Sequence, residues 1–301
     1  MTTPPTTSAP VESVEAGAVP VEPAAVPPPG ARRGRPRPTA TGIVALVFVA
    51  TTVVLGLVVP LLPGVDVTHQ DLGAAFAAPF GDITHLLGTD QLGRDLLSRV
   101  AFATRVSLGV ALGSVVVSAL LGLVVGLLAG YRGGRLDGFL MAVGDVTLAI
   151  PTMLLLIVVA ATVGTTPLLL TVLLGLMNWV VFARLVRSMA LSLREREFVA
   201  AATAAGATPT WVVRKHLLRA VVPELLVTAG YQVGVMITIE SSLSYIGLGI
   251  QPPLPSLGLM IAEGQPYLQT HPGLTLVPAA VVFMLIAGVQ FLSQRPHRAH
   301  R

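Results

Sequence analysis

Two acidic residues, Asp145 and Glu240, lie inside long apolar stretches of this 301-residue chain. An unpaired carboxylate within a lipid bilayer costs about 2.5–3.5 kcal/mol, so Glu240 is expected to face other helices or water. Two such carboxylates could relay protons across a membrane, but their positions near opposite membrane faces argue against direct contact between them. The alternative roles are solvation at a helix end and hydrogen bonding between helices.

Other reactive side chains are sparse. Ser241, Ser242 and Ser244 share an apolar stretch that contains no histidine. An intramembrane serine protease would need a histidine from another stretch, and His85 is poorly placed for that role. Lys215 is the only lysine and no G-x-x-x-x-G-K-[ST] sequence occurs, so the chain has no Walker A loop for nucleotide phosphates. Cysteine is absent and the six histidines form no H-E-x-x-H or other metal-ligand set, with His297 and His300 expected to be solvated in the tail. We therefore expect no catalytic residue, bound cofactor or metal site.

The composition is typical of a membrane protein. Hydrophobic residues make up 53% and charged residues 11% of the chain, whereas about a quarter of the residues in a soluble domain are charged. Six apolar windows are each long enough to cross about 30 Å of hydrocarbon as a helix. They begin near Ile43, Val106, Phe139, Pro167, Leu226 and Leu274. The expected fold class is therefore an all-α membrane protein with six transmembrane helices.

Basic residues are distributed unequally between the two sides of this arrangement. Of the 19 Lys and Arg residues, only Arg94, Arg99 and Arg105 fall in external segments. Because cytoplasmic loops carry an excess of Lys and Arg, both termini are expected in the cytoplasm. The isoelectric point is about 10.1, but the basic residues are scattered over loops beside the membrane. That distribution suits contact with anionic lipid headgroups, and we expect no nucleic-acid partner.

The composition divides the chain into four segments. Residues 1–40 are rich in Pro, Thr, Ala and Glu and are expected to be a disordered tail. Residues 41–105 hold the first span and an external loop, 106–292 the remaining spans, and 293–301 a basic tail. The apolar stretch 43–62 is too long for a typical signal-peptide core, which favours an uncleaved anchor over a cleaved signal peptide.

Two patterns predict local structure in the first half of the chain. Thr89 or Asp90 could cap a short amphipathic helix, because leucines and Val100 follow at helical spacing. Such a helix would lie on the membrane or on neighbouring spans. In the second span, Gly122-x-x-x-Gly126 favours close helix packing, although chance in a glycine-rich chain explains the motif equally well.

Residues 188–225 form the one sizeable cytoplasmic loop. Glu195–Ala205 is predicted to be a helix that ends at Gly206 in the left-handed conformation. Thr208-Pro209 then predicts the cap and first residue of a second helix that continues toward Pro223. The helix–turn–helix presents a small alanine face and a second face with Trp211. We interpret it as a docking surface for a cytosolic partner.

Three sequence motifs together carry a family resemblance. The segment from Glu195 to Leu218 resembles the EAA cytoplasmic motif of binding-protein-dependent ABC importer permeases. Gly88–Asp95 and Ser244–Pro253 resemble signatures of the dipeptide, oligopeptide and nickel branch, in the second of its two permease subunits. The similarity extends from about Gly42 to Phe291.

The resemblance implies a fold and a set of partners. The fold is the six-helix type I ABC importer permease fold (MetI-like), with a coupling loop at 188–225 and a coupling helix around Ala202–Trp211. A second homologous permease completes a heterodimer, two separate ABC ATPase subunits hydrolyse ATP, and an extracytoplasmic binding protein delivers the solute. The location implied is the bacterial inner membrane, among membrane lipids.

The resemblance also implies roles for individual residues. The residues assigned to ATPase coupling are Ala200, Ala201, Ala202, Gly206, Ala207, Thr208, Trp211, His216 and Leu218. The residues of the external motif are Gly88, Thr89, Asp90, Gly93, Arg94 and Asp95.

This chain departs from the family pattern at three places. Ala200 stands where the family usually has Glu, Arg219 stands where it usually has Pro, and Ser293–Arg298 replaces an acidic stretch after the last span. These departures leave the expected fold intact but affect the coupling between ATP hydrolysis and transport. Either the transporter is weakened, or its ATPase compensates for the changes.

Two functions remain open at this stage. The leading one is a permease subunit of an ATP-driven importer, with di- or oligopeptides as the expected solute and nickel or another small solute as alternatives. The other is a self-contained proton-coupled carrier that uses Asp145 and Glu240.

Overall fold

The computed structural model describes residues 40–61, 67–81 and 85–293, and this part of the chain is mostly helical. The helices are α1 (Ala40–Val58), α2 (Leu96–Arg132), α3 (Gly134–Ala149), α4 (Thr152–Val163), α5 (Pro167–Arg194), α6 (Glu197–Ala204), α7 (Pro209–Val212), α8 (Leu218–Tyr245), α9 (Leu257–Gly264) and α10 (Gly273–Ser293). A π-helical turn, Val213–Leu217, joins α7 to α8. The predicted disordered tail up to residue 39 and the basic tail from residue 294 lie outside the described residues.

Five of the six predicted spans are single helices. The segments Gly42–Leu61, Leu96–Arg132, Pro167–Arg194, Pro209–Tyr245 and Gly273–Ser293 are each long and apolar enough to cross a membrane. The remaining window is a bent pair, because α3 and α4 meet at an angle of 70°. Pro151 causes the break, since proline disfavours the helical conformation of the preceding residue, and Ile150 is extended (φ −83°, ψ 118°). The third predicted span thus corresponds to this bent pair of helices.

Glycines bring α2 and α5 into close contact. Gly122, Gly126 and Gly130 form a row on α2 that faces α5, and the two helices run in the same direction. A Cβ atom on Gly126 would lie 2.6 Å from the Ala183 carbonyl oxygen, and one on Gly130 would lie 2.8 Å from that of Arg187. Small residues permit this approach of two backbones. The Gly122-x-x-x-Gly126 motif is thus a packing motif and not a chance occurrence.

The predicted amphipathic helix beginning at Thr89 or Asp90 is wrong. Helix α2 begins at Leu96, and its N-cap is Asp95, whose carboxylate accepts a hydrogen bond from the Ser98 backbone N at 2.8 Å. From there α2 continues without interruption through the second span to Arg132. The segment before Asp95 is a turn held by side-chain contacts, described below.

The second half of the coupling-loop prediction needs a similar correction. The second helix was predicted to run toward Pro223, but Pro223 lies inside α8. Proline removes one backbone donor from a helix and often kinks it, yet here α7, the π turn and α8 form one helical segment from Pro209 to Tyr245. Trp211 therefore lies on the same helical segment as Glu240.

The segment between the last two spans contains a short helix that the sequence pattern did not predict. Ser256 caps α9 by accepting a hydrogen bond from the Leu259 backbone N at 3.3 Å. Gly258 of α9 lies directly against the Ser241 backbone of α8, where any Cβ atom would collide. Gly264, at the other end of α9, lies against Leu274 of α10. Helix α9 is thus packed between α8 and α10.

Candidate functional site

The turn between α6 and α7 has the predicted left-handed glycine. Gly206 has φ +88°, a region that L-residues with a side chain rarely adopt. The Gly206 N–H donates to the Thr203 carbonyl and the Ala207 N–H to the Ala202 carbonyl, both at 3.0 Å. These two bonds satisfy the last carbonyls of α6 in a Schellman motif. The prediction for Gly206 is confirmed.

The start of α7 also follows the predicted pattern. Thr208 is extended (φ −72°, ψ 152°), and its hydroxyl accepts a hydrogen bond from the Trp211 backbone N at 3.4 Å. Pro209 occupies the first turn, where its missing N–H costs no helical hydrogen bond. The chain direction between α6 and α7 is therefore set by the left-handed Gly206, the Thr208 cap and Pro209.

A small apolar cluster attaches this helix–turn–helix to α5. Val199 of α6, Val212 of α7 and Leu217 of the π turn are buried together with Ala190 of α5. Ala207 packs against the same cluster. Burying these side chains fixes the loop relative to the end of α5, so its outer surface is presented on a rigid base.

The predicted coupling residues are divided between the outer surface and the base of this loop. The exposed ones are Ala200, Ala201, Gly206, Thr208 and Trp211, whereas Ala202, Ala207, His216 and Leu218 are partly buried. Phe198, which the sequence motifs did not single out, is 46% exposed beside them. The structure thus brings all nine predicted residues into one continuous element.

An aromatic group crosses the outer surface of the loop. The His216 ring lies 5.3 Å from the ring centroid of Phe198 on one side and 5.3 Å from that of Trp211 on the other. The Lys215 ammonium lies 5.5 Å from the Trp211 ring centroid, within cation–π range. Trp211 remains 44% exposed. The loop therefore displays flat aromatic surface next to positive charge.

An open cavity lies beside Trp211. Its volume is about 430 Å³. Its lining residues are Thr208, Thr210, Trp211, Arg214, Lys215 and Arg219. The cavity is lined by three cationic side chains, two hydroxyls and one indole, a combination that suits an anionic group.

Asp145 is paired with an arginine. Its carboxylate accepts a hydrogen bond from Arg184 Nη2 of α5 at 2.5 Å, and both side chains are exposed. Nearer the start of the same helix, Asp137 accepts two hydrogen bonds from Arg187, at 2.5 and 2.7 Å. These two ion pairs connect α3 to α5, a role for Asp145 that sequence reasoning missed.

Glu240 faces the interior of the helix bundle, as predicted. Its side chain is fully buried, and Ser244 Oγ donates a hydrogen bond to Glu240 Oε1 at 2.8 Å. The Ser244 hydroxyl in turn accepts a hydrogen bond from the Ile250 backbone N at 3.3 Å. The buried carboxylate therefore stabilises the turn that follows α8, and it does not contact Asp145.

The external motif is organised around the Asp90 carboxylate. Asp90 accepts hydrogen bonds from the backbone N of Leu92 at 2.8 Å and of Arg94 at 3.0 Å. It also accepts bonds from Arg94 Nε at 2.7 Å and Arg99 Nη1 at 2.5 Å. Asp90 is 2% exposed, and charge-assisted bonds of this kind are the strong ones in proteins. Both guanidinium groups extend on to Glu263 of α9.

The other predicted residues of the motif shape the chain around Asp90. Gly88 and Gly93 have φ +79° and +70°, and a Cβ atom on Gly93 would collide with the Asp71 backbone. The Thr89 hydroxyl accepts a hydrogen bond from the Ala77 backbone N at 2.8 Å and donates one to the Ala74 carbonyl. The motif therefore holds the segment before α2 in place. Arg99 and Glu263 belong to the same cluster but were not predicted.

Comparison with known proteins gives concordant similarities. Residues 122–295 match the family described as "Binding-protein-dependent transport system inner membrane component". The chain is 36% identical over 248 residues to the nickel transport system permease protein NikC of Escherichia coli K12, covering 80% of this chain and 89% of that protein. It is 36% identical over 256 residues to the oligopeptide permease OppC of the same strain, covering 85% of this chain and 84% of OppC.

A third relative and one solved structure extend the comparison. The dipeptide permease DppC of Alkalihalophilus pseudofirmus is 28% identical over 250 residues, covering 83% of this chain and 82% of DppC. An inward-facing structure of the MetNI methionine ABC transporter superposes with a TM-score of 0.52 and 22% identity. The superposition covers 65% of this chain and 94% of that one. The similarity in shape matches the type I importer permease fold that the sequence motifs imply.

Proposed function

Because the chain belongs to the family of binding-protein-dependent transport system inner membrane components and is a permease subunit of an ABC importer, we propose that its solutes are di- or oligopeptides. Two of the three relatives described above, OppC and DppC, are named as peptide permeases. Nickel is the second candidate, since NikC is as similar to this chain as OppC is.

In this proposal the helix–turn–helix of α6 and α7 is the contact for the ATPase. The observation that carries it is the Schellman turn at Gly206, followed by the Thr208 cap, on a base buried against α5. Such a base would transmit force between a partner and the membrane helices without bending locally. The chain itself binds no nucleotide, and two partner ATPase subunits hydrolyse the ATP.

The second permease would cover the bent helix pair. Helices α3 and α4 carry many exposed apolar side chains. These include Phe139, Val146, Leu154, Val158 and Val163, all more than half exposed. An apolar surface of this kind within a membrane suits either lipid or another helix bundle. We assign it to a heterodimer with a homologous permease, which would place the bent pair beside the solute pathway.

The proposed orientation follows from the charge asymmetry between loops. The coupling loop and both termini would lie in the cytoplasm. The cluster around Asp90 and the short helix α9 would lie outside, where the solute-binding protein docks.

A self-contained proton carrier loses its basis in this arrangement. Asp145 is already paired with Arg184, and Glu240 is enclosed by the serines of its own helix. The two carboxylates therefore have separate hydrogen-bond partners among the described side chains.

Reconstituted transport tests the proposal. The two permeases, the ATPases and the binding protein are purified and placed in lipid vesicles, and uptake of labelled di- and tripeptides is compared with uptake of radioactive nickel. Peptide uptake that requires both ATP and the binding protein is the expected result. Uptake of nickel alone would overturn the assignment of solute, and uptake without ATP would overturn the proposed coupling.

A further inference from the structure

The cavity beside Trp211 carries positive charge without any carboxylate in its lining. Arg214, Lys215 and Arg219 line it, together with the hydroxyls of Thr208 and Thr210. All three cationic residues and both threonines are exposed in this chain. We refer to these five residues and Trp211 as the basic cleft.

The cations of the basic cleft are unpaired within the part of the chain that the structure describes. Arg214 and Arg219 form no ion pair there, and the Lys215 ammonium lies over the ring of Trp211. By contrast, Arg184 and Arg187, at the end of the neighbouring α5, each pair with an aspartate of α3. An anionic group of a partner could therefore bind the cations of the basic cleft without displacing an ion pair among the described residues.

The position of the basic cleft along its helix favours a protein partner over a lipid. The apolar part of α8 begins after the exposed carboxylate of Glu224. At 1.5 Å per residue, Arg219 lies about 9 Å, Arg214 about 16 Å and Thr208 about 25 Å beyond Leu225. Lipid headgroups occupy only about 5–8 Å outside the hydrocarbon on each side. Most of the cleft therefore extends past the lipid phosphates into the aqueous phase.

The neighbouring α6 places no carboxylate in the lining of the cleft. Ala200 and Ala201 are exposed on α6. Glu197 adjoins Phe198, whose ring contacts His216, but among the described residues no ion pair joins Glu195 or Glu197 to the cations of the cleft. The surface around the turn therefore combines neutral alanines, the Trp211 indole and three cations. A partner with acidic side chains would complement it, and a partner with basic side chains would be repelled.

We propose that the basic cleft of Thr208, Thr210, Trp211, Arg214, Lys215 and Arg219 binds an acidic surface of the ATPase subunit. This inference rests on the proposed function of the loop and adds the chemistry of the contact. Carboxylates of the ATPase would pair with Arg214 and Arg219, and apolar side chains beside them would cover the Trp211 indole. Charge pairs at an interface set the specificity and rate of association. The pairing would therefore select one ATPase among several related ones.

Charge reversal provides the first test. The double variant Arg214→Glu/Arg219→Glu is compared with Arg135→Glu, which makes the same kind of change at an exposed arginine of α3 outside the cleft. The measurement is the amount of ATPase retained by the purified permease pair in detergent across a range of salt concentrations. We expect retention by the double variant to weaken about tenfold or more at low salt and the difference to narrow at high salt.

Crosslinking provides the second test, which does not depend on the stability of the double variant. Because the chain contains no cysteine, Lys215→Cys introduces a single thiol for a photoreactive label. A crosslink to an Asp- or Glu-rich segment of the ATPase supports the proposal. Crosslinks confined to anionic phospholipid, or equal ATPase retention by the double variant and Arg135→Glu, would overturn it.

These outcomes are separable from the proposed function itself. Wild-type vesicles that show ATP-dependent peptide uptake would uphold the importer function even when charge reversal leaves ATPase retention unchanged. Only the assignment of the acidic partner surface would then be lost.

Discussion

Arg99 of α2 and Glu263 of α9 are joined by a hydrogen bond of 2.8 Å between Nη2 and Oε2, although they lie 164 residues apart in the sequence. The same guanidinium group contacts Asp90 through Nη1 at 2.5 Å. One arginine thus connects the external segment, the start of α2 and the short helix α9. Because Arg99 is 4% exposed, water does not substitute for these contacts.

Replacing Arg99 should destabilise the external half of the protein. In Arg99→Met the buried Asp90 keeps Arg94 as its one charged partner among the described residues, and Glu263 loses the shorter of its two arginine contacts. Removing one member of a buried ion pair costs about 3–5 kcal/mol. We expect a clear drop in thermal unfolding temperature of the purified protein in detergent. Arg105→Met, at an exposed arginine of the same helix, should change it little. Equal unfolding temperatures for the two variants would contradict the role of Arg99.

Gly206→Val should separate the coupling loop from its partner without affecting membrane insertion. A Cβ atom on Gly206 would meet no atom within 4 Å, so the effect comes from the backbone conformation alone. Placing a β-branched residue at φ +88° costs about 1–2 kcal/mol. We expect normal membrane levels with loss of ATPase co-purification and of uptake. Ala205→Val, the same side chain on a residue with negative φ, is the control. ATPase binding by Gly206→Val equal to that of the control would exclude the loop as the partner surface.

Glu240→Gln should reduce uptake only modestly. The amide keeps the size of the carboxylate and can still accept the hydrogen bond from Ser244. Its described partners, Ser241 and Ser244, belong to the same helix and remain available to the amide. Even hydrogen bonds between helices in membranes average only about 0.6 kcal/mol, so we expect a loss of less than about threefold. Glu224→Gln, at an exposed carboxylate of the same helix, controls for the change of charge.

The driving force provides a companion measurement for the Glu240 variant. Uptake should persist when a protonophore collapses the proton gradient while ATP is maintained. Uptake abolished both by the protonophore at constant ATP and by Glu240→Gln would instead support a proton-coupled carrier.

The proposed orientation can be checked with fused reporters. An enzyme that is active only outside the cytoplasm should be active after Thr68 or Pro266 and inactive after Gly134 or Thr208. Inactive fusions at both external positions, with normal expression, would rule out the six-span orientation.

The features predicted correctly from the sequence depend on local interactions. Gly206, Thr208 and Pro209 determine the turn between α6 and α7 through bonds that span at most five residues. The long apolar windows predicted the spans for the same reason, since each helix satisfies its own backbone within the membrane.

The features predicted wrongly depend on contacts between distant residues. The leucine spacing after Asp90 favours a helix, but Arg94 and Arg99 bind the Asp90 side chain and hold the preceding segment as a turn. Glu263, which completes that cluster, lies on α9, a short helix that the sequence pattern did not predict.

The uninterrupted helix from Pro209 to Tyr245 acts mechanically as a lever. Its 37 residues extend about 55 Å at 1.5 Å per residue. One end carries the proposed docking surface, and near the other end the Ser241 backbone packs directly against Gly258 of α9. A tilt of about five degrees at the docking end would shift the far end by about 5 Å over that length. Because the backbones of Ser241 and Gly258 are already in close contact, α9 would move together with α8. The hydrogen bond between Arg99 and Glu263 would then be displaced as well.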